Sequence, residues 1–335
     1  MRITQDLLHK FARETVKMRK QSEPDLHAAY LTGSLLDNEP LLGGATDIDL
    51  VLIHKYRVPV ERETEGVTPE VSLDIVHKLK ENFDQYRSLR QDPWMGYPLT
   101  NYQGLLFDTD HWLEFIQSSV AAEFQRPDNV LARVNRLLDT AREGWFTLMQ
   151  TPSQTHLEWL HRYLEILALA ANAVSGLIGP PLTTRRFLMT FSERVNNLGV
   201  PKALAGFYGL LGHSKDQDVK LREWINAFEA DLTYLTETAV PPAHLASCRH
   251  AYYLNAIRAI AESNSPEQAV WPLLKNWTDV NLVAKQPTSG KEIWDFCLET
   301  LQLSEDNIDQ KTEALDAYLD NTEIIIESWA DTYGI

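Results

Sequence analysis

Tyr30-Leu31-Thr32-Gly33-Ser34, followed after the glycine pair Gly43-Gly44 by Thr46-Asp47-Ile48-Asp49-Leu50, is the stretch on which the fold of this chain turns. Leu26 to Leu31 is apolar enough for a buried strand, and Gly33 stands where the chain must turn with an unhindered backbone. Peptide N–H groups around Gly33 and Ser34, with the Ser34 hydroxyl, are suited to donate to phosphate oxygens. From Asp47 to His54 a second strand is expected, in which Asp47 and Asp49 share one face while Ile48, Leu50 and Leu52 point into the core. Two carboxylates about 7 Å apart on one strand face call for a counter-charge. Mg²⁺ is the usual one, because it takes carboxylate oxygens, water and substrate phosphates together. The segment Glu70-Val71-Ser72-Leu73-Asp74-Ile75-Val76-His77 alternates again, with Val71, Leu73 and Ile75 on one face and Asp74 on the other. If this strand pairs beside the first, Asp74 joins Asp47 and Asp49. A lone Asp-x-Asp at a strand end is ordinarily solvated and inert. The conjunction with a Gly-Ser turn and a third inward acid is what points to a nucleoside triphosphate and a metal.

Gly33-Ser34, Asp47-Ile48-Asp49 and Asp74 together resemble the signature of the polymerase β-like nucleotidyltransferase superfamily. Within it the layout is most similar to the aminoglycoside adenylyltransferases that modify streptomycin and spectinomycin. The motif resemblance covers about the first 80 residues. Pro93-Trp94-Met95-Gly96-Tyr97-Pro98, the helix around Leu164 to Gly176, Asn197-Leu198-Gly199-Val200-Pro201 and Gly212 to Asp218 follow in a comparable order, and nothing beyond residue 220 matches. The resemblance implies that Asp47, Asp49 and Asp74 bind two Mg²⁺ ions, that Gly33 and Ser34 contact the phosphates of ATP or another nucleoside triphosphate, and that AMP is transferred to a hydroxyl. A metal pair of that kind stabilises the attacking and leaving oxygens of an in-line displacement. Asp74 is the expected acceptor of the hydroxyl proton. The acceptor implied is a small molecule, aminoglycoside-like and cationic, so that the expected activity would bear on antibiotic resistance. A protein side chain as acceptor, in the manner of toxin-antitoxin relatives, and a non-catalytic nucleotide-binding regulator are the alternatives.

A chain of 335 residues with 44% hydrophobic residues has enough material for two domains with sizeable cores. No apolar run approaches the roughly 18 residues of a spanning helix. Met1-Arg2-Ile3-Thr4-Gln5-Asp6 lacks a leader pattern, and Cys248 and Cys297 lie far apart with no CxxC. A cytoplasmic protein with free thiols and no membrane partner is therefore expected. The net charge of −16 argues against general nucleic-acid binding. Much of the excess is local: Glu313, Asp316, Asp320, Glu323, Glu327 and Asp331 recur at three- and four-residue spacing opposite Leu315, Leu319, Ile326 and Trp329. That acidic face is either solvated or a wall attractive to a polycation.

The expected fold is α+β: a nucleotidyltransferase domain over residues 1–125, with a mixed sheet flanked by helices, then an all-helical bundle over 126–335 that binds the acceptor. A helix from Thr4 to Lys20 and a further strand from Gly104 to Phe107 complete the first part. In the second, Val130, Val134, Leu137, Ala141, Trp145 and Leu148 trace one amphipathic helix, and Leu157, Leu160, Leu164, Leu167, Ala171 and Val174 another. Breaks are expected at Thr151-Pro152, Gly179-Pro180-Pro181, Pro241-Pro242 and Pro287-Thr288-Ser289-Gly290. His156 and His161, five apart, fall on different helix faces and do not make a metal pair. Glu158 and Glu165 are candidates to reach the acceptor, Arg185 and Arg186 to reach the triphosphate. Trp94, Tyr97 and Tyr102 either stack on a base or sugar or fill a loop core.

Overall fold

The computed structural model of the protein describes residues 3–36, 40–150, 155–212, 217–284 and 290–335. Its first helix, α1 (Gln5–Ser22), starts where the Thr4 hydroxyl accepts from the Leu7 N–H, and it buries Leu8, Ala12, Thr15 and Val16 at helical spacing. Five strands follow: β1 (Leu26–Thr32), β2 (Thr46–His54), β3 (Arg62–Thr68), β4 (Val71–Leu79) and β5 (Leu105–Asp108). They form one mixed sheet in the order β3-β4-β2-β1-β5. β1 runs antiparallel to β2 and β5, and β3 antiparallel to β4. β2 and β4 are parallel and pair without a register break from Thr46 opposite Val71 to His54 opposite Leu79. The architecture is thus α+β, a five-stranded mixed sheet followed by a helical region. β3 escapes the sequence pattern because Arg62-Glu63-Thr64-Glu65 has no apolar alternation. It is an edge strand with several exposed side chains, where charge is tolerated and discourages further pairing.

Strict alternation divides the sheet into two faces. Ile48, Leu50, Leu52, Val71, Leu73 and Ile75 pack with Leu8, Ala12 and Val16 of α1 on one side. Val51 and Ile53 join Ala28, Tyr30, Phe83 and the α4 (Trp112–Ala121) residues Leu113, Ile116 and Val120 on the other, together with the short turns α2 (Tyr86–Leu89) and α3 (Gly96–Leu99). Asp47 and Asp49 precede Val51 and Ile53 on that second face. The strand therefore carries carboxylates at its start and aliphatic core at its end.

Two compact units result: Met1–Asn129 with Pro242–Ala256, and Val130–Pro241 with Ile257–Ile335. The returning segment Pro242–Ala256 lies deep in the helical half of the sequence, yet it packs against the sheet. Gly43 shows the closeness of that packing. Its φ is +62°, and a Cβ there would meet the Asn255 carbonyl oxygen at 2.1 Å. The helices of the second half are α5 (Pro127–Gln150), α6 (His156–Ser175), α7 (Phe187–Asn197), α8 (Pro201–Leu210), α9 (Gln217–Thr238), α10 (His250–Ala261), α11 (Val270–Val283), α12 (Lys291–Thr300) and α13 (Ile308–Tyr333). The core of the second unit is rich in aromatic rings, with Phe187 and Trp271 at 4.4 Å and Trp277 and Trp294 at 4.9 Å between centroids. Gly179-Pro180-Pro181 falls between α6 and α7, and Pro241-Pro242 between α9 and α10. The expected breaks at Thr151-Pro152 and Pro287-Thr288-Ser289, and His213 to Asp216, lie outside the described residues. Among the described residues no helix is long and apolar enough to cross a membrane.

Candidate functional site

β2 and β4 place Asp49 directly opposite Asp74, with Asp47 two residues earlier on the same face. One oxygen from each carboxylate lies within 4.8 Å of the others. Asp47 and Asp74 are buried, each 2% exposed, while Asp49 keeps some contact with solvent. Charges at that spacing repel by about 3 kcal/mol per pair at an effective dielectric near 20. Burial of such a trio requires counter-charge.

Gly33 brings the Gly33-Ser34 turn against these acids. It closes β1 with a φ of +69°, and a Cβ at this position would fall 1.9 Å from Asp49 Oδ2, so only glycine lets the backbone lie on that carboxylate. Gly33–Leu36 forms a single 3₁₀ turn, and the Ser34 hydroxyl stands 3.5 Å from that of Thr46 at the head of β2. Gly33, Ser34, Asp47, Asp49 and Asp74 therefore share one locality.

Two arginines that the sequence reading did not single out complete it. Arg62 on β3 grips Asp74 with its Nε and Nη2, the Nε bond measuring 2.7 Å. Arg249, 5% exposed, reaches both Asp74 and Asp47, the latter at 3.0 Å. Its guanidinium is backed by the rings of Tyr252 and Tyr253, at 4.9 and 5.6 Å from their centroids. Arg62 carried no signal, because the strand that holds it has no apolar alternation to mark it. For Arg249 no local signal exists, since it meets the acids from 175 and 202 residues away.

The electrostatics follow this division. Burial alone would raise the Asp74 carboxyl, but Arg62 and Arg249 outweigh it and hold the group below its usual range. On Asp49 the same two arginines act too weakly to prevail. Burial first, then Asp47 and Asp74, push its carboxyl well above the usual range. Burial opposes the charge on Arg249, and Tyr253, Asp47 and Asp74 more than restore it. Three acids and two arginines leave a formal charge of about −1, and the surplus falls on Asp49. The donor set is all carboxylate oxygen, which suits a hard cation such as Mg²⁺. A cation using the inner oxygens of Asp47 and Asp74 would take over from Arg249.

The remaining candidates have surroundings of their own. Trp94 and Tyr102 are about half exposed, and Tyr97 packs on Phe124 at 6.2 Å between ring centroids. In the second unit His156 donates to the Leu303 carbonyl, 2.8 Å away, whereas His161 pairs with Glu165 and Asp279 at 3.0 and 3.2 Å. Because the Leu303 oxygen is an acceptor, His156 must be its donor through Nε2–H. Glu158 closes the capping box of α6 with Thr155, and Arg185 is buried. On α13, Arg142 of α5 engages Asp316, Asp320 and Glu323, which neutralises part of the acidic face. A cavity of about 510 Å³ lined by Arg222, Glu223, Asn226 and Gly290 belongs to the second unit and includes none of Asp47, Asp49 and Asp74. Cys248 and Cys297 are free thiols. No family model matches the chain, and no curated protein matches it in sequence.

Proposed function

We propose that this chain is a Mg²⁺-dependent nucleotidyltransferase that moves AMP from ATP onto a hydroxyl of a small molecule, with a cationic, aminoglycoside-like compound as the first acceptor to test. The observation that carries the reading is the convergence of Asp47, Asp49 and Asp74 from two parallel strands beside the Gly33-Ser34 turn. Asp47, Asp49 and Asp74 would hold the metal, which when bound supplies charge neutralisation and Lewis-acid polarisation at the phosphates. Gly33 and Ser34 present backbone N–H groups and a hydroxyl to phosphate oxygens. Asp74 takes the proton of the acceptor hydroxyl. Its arginine partners keep it ionised, as a base must be, while lowering its basicity. The acceptor class rests on the resemblance of the motifs and on the acidity of the chain, and Arg142 reduces the share of α13 in that acidity.

One observation favours a second reading, a non-catalytic nucleotide-binding regulator. Arg249 and Arg62 already neutralise most of the acidic cluster, so a site of this kind can persist without a metal.

Calorimetric titration of ATP into the protein with Mg²⁺, and into Asp47→Ala/Asp49→Ala, separates these outcomes. Binding that requires Mg²⁺ and is lost in the double variant is expected, and would justify a screen of acceptors with aminoglycosides first. Binding that ignores Mg²⁺ would favour the regulator, and no binding of ATP or any other nucleoside triphosphate would sink the transferase.

A further inference from the structure

The alternation that sends Asp47, Asp49 and Asp74 to one face of the sheet sends His54 and His77 to the other, at the far ends of the same two strands. His54 follows Leu52 and His77 follows Ile75 on the side covered by α1. The separation from Asp49 along β2 is about 17 Å, so the two groups of residues are distinct. His54 and His77 are 1% and 3% exposed, and their rings lie nearly parallel with centroids 5.0 Å apart. His54 Nε2 and His77 Nδ1 face each other at 2.7 Å. Glu23, the residue that ends α1, brings Oε2 to 3.9 Å from His54 Nε2. That oxygen is buried and has no hydrogen-bond donor.

The surroundings are arranged as they are around a metal. His77 offers its other nitrogen, Nε2, to Glu63 at 3.0 Å, the carboxylate–histidine pairing that fixes the tautomer of a ligating imidazole. Arg19 holds Glu23, Glu63 and Glu65 in place at 3.1, 2.9 and 2.7 Å. Formal charge also closes. Glu23 and Glu63 balance a divalent ion, and Glu65 balances Arg19, with both imidazoles neutral. Without an ion, one proton between two imidazole nitrogens leaves Glu23 Oε2 desolvated for nothing, which is unfavourable by about 1–3 kcal/mol.

We propose that Glu23, His54 and His77 bind a divalent transition-metal ion of the Zn²⁺ class, through Glu23 Oε2, His54 Nε2 and His77 Nδ1, with Glu63 as the positioning carboxylate. Two imidazoles and one carboxylate suit Zn²⁺ and its neighbours rather than Mg²⁺. Tetrahedral bonds of about 2.0–2.1 Å set ligand atoms roughly 3.3 Å apart. The imidazole nitrogens then separate by about half an ångström and the carboxylate closes by a similar amount, both within reach of side-chain rotation. Glu23, partly open to solvent, marks the way in and the place for a water ligand. The ion ties the end of α1 to the ends of β2 and β4, a structural staple that needs no substrate.

Zn²⁺ titration of the EDTA-treated full-length protein against a chromophoric chelator, with Co²⁺ for ligand-field spectra, tests the site. One equivalent is expected in the wild type and equally in Asp47→Asn/Asp49→Asn, which excludes the acidic cluster as its source. Glu23→Gln, an isosteric change at a partly exposed position, should weaken binding about 100-fold, and Glu63→Gln about 10- to 100-fold. Circular dichroism verifies that each variant is folded. Failure of the folded wild type to bind, or equal binding by Glu23→Gln, overturns the proposal in favour of a plain imidazole hydrogen bond. Neither result bears on the nucleotide reading, because ATP binding is measured at the other face.

Discussion

Asp49 is the residue at which the arrangement of charges becomes measurable. In the metal-free protein its folded pKa lies above the unfolded value near 3.8, through burial and then its acidic neighbours. Such a group contributes stability that is complete below the unfolded value and is lost as pH rises through the folded one. Asp74 behaves oppositely: held down by its arginines, it contributes above 3.8 and loses that contribution as pH falls through its folded pKa. Asp49→Asn removes only the first effect. It is expected to stabilise the EDTA-treated protein by about 1 kcal/mol, discounted for its partial exposure. Urea denaturation should show the gain to be larger at about pH 8 than at about pH 5; an equal gain at both would mean that Asp49 is not the group carrying the surplus charge.

At the scale of elements, the turn between β1 and β2 separates backbone strain from contact with the site. Gly33 and Gly44 both have positive φ, +69° and +77°. A Cβ at Gly33 strikes Asp49, whereas one at Gly44 meets nothing within 4 Å. Gly44→Ala should therefore cost only the left-handed backbone term, about 1 kcal/mol, and keep Mg²⁺-dependent ATP binding. Gly33→Ala should cost about 2–3 kcal/mol and lose that binding, because Asp49 is displaced. Thermal melts and calorimetry on the pair check this. Similar ATP affinity in both variants would detach the turn from the site.

Across the whole molecule, the acids depend on a residue far away in the chain. Arg249 comes from the segment Pro242–Ala256, which belongs to the sheet unit although it follows most of the helical sequence. Arg249→Met keeps the bulk and removes the charge, leaving Asp47 and Asp74 with less than they need. The expected loss in EDTA is about 3–5 kcal/mol, the usual effect of breaking a buried ion pair from one side. Mg²⁺ should then restore part of it and raise the melting temperature more in the variant than in the wild type. A variant that melts like the wild type, with or without Mg²⁺, would show that Arg249 is not the counter-charge.

How much of this was legible follows from the range of each interaction. Alternation in Asp47–His54 and Val71–His77 has a period of two residues, so the sequence by itself determined that Asp47 and Asp49 share a face and where the aliphatic core lies, whereas Asp74 joins them through the parallel pairing of β2 and β4. Gly33 was readable for a different local reason, since glycine closing an apolar run marks a turn and enters positive φ without steric cost. The helical half was readable from its 3.6-residue period. Edge strand β3 was not, because an edge relaxes the apolar pattern that identifies a strand. Nor was the pairing of His54 with His77 and Glu23, which requires the parallel register of β2 and β4 and the end of α1 to coincide. Arg249 was beyond the sequence altogether: nothing near Cys248-Arg249-His250 records the acids it neutralises, and only the tertiary fold brings a charge to them across 175 residues or more. Local periodicity is written in the chain, whereas Coulomb interactions depend on distance in space, so the acids were determined by the sequence and their neutralisation by the fold.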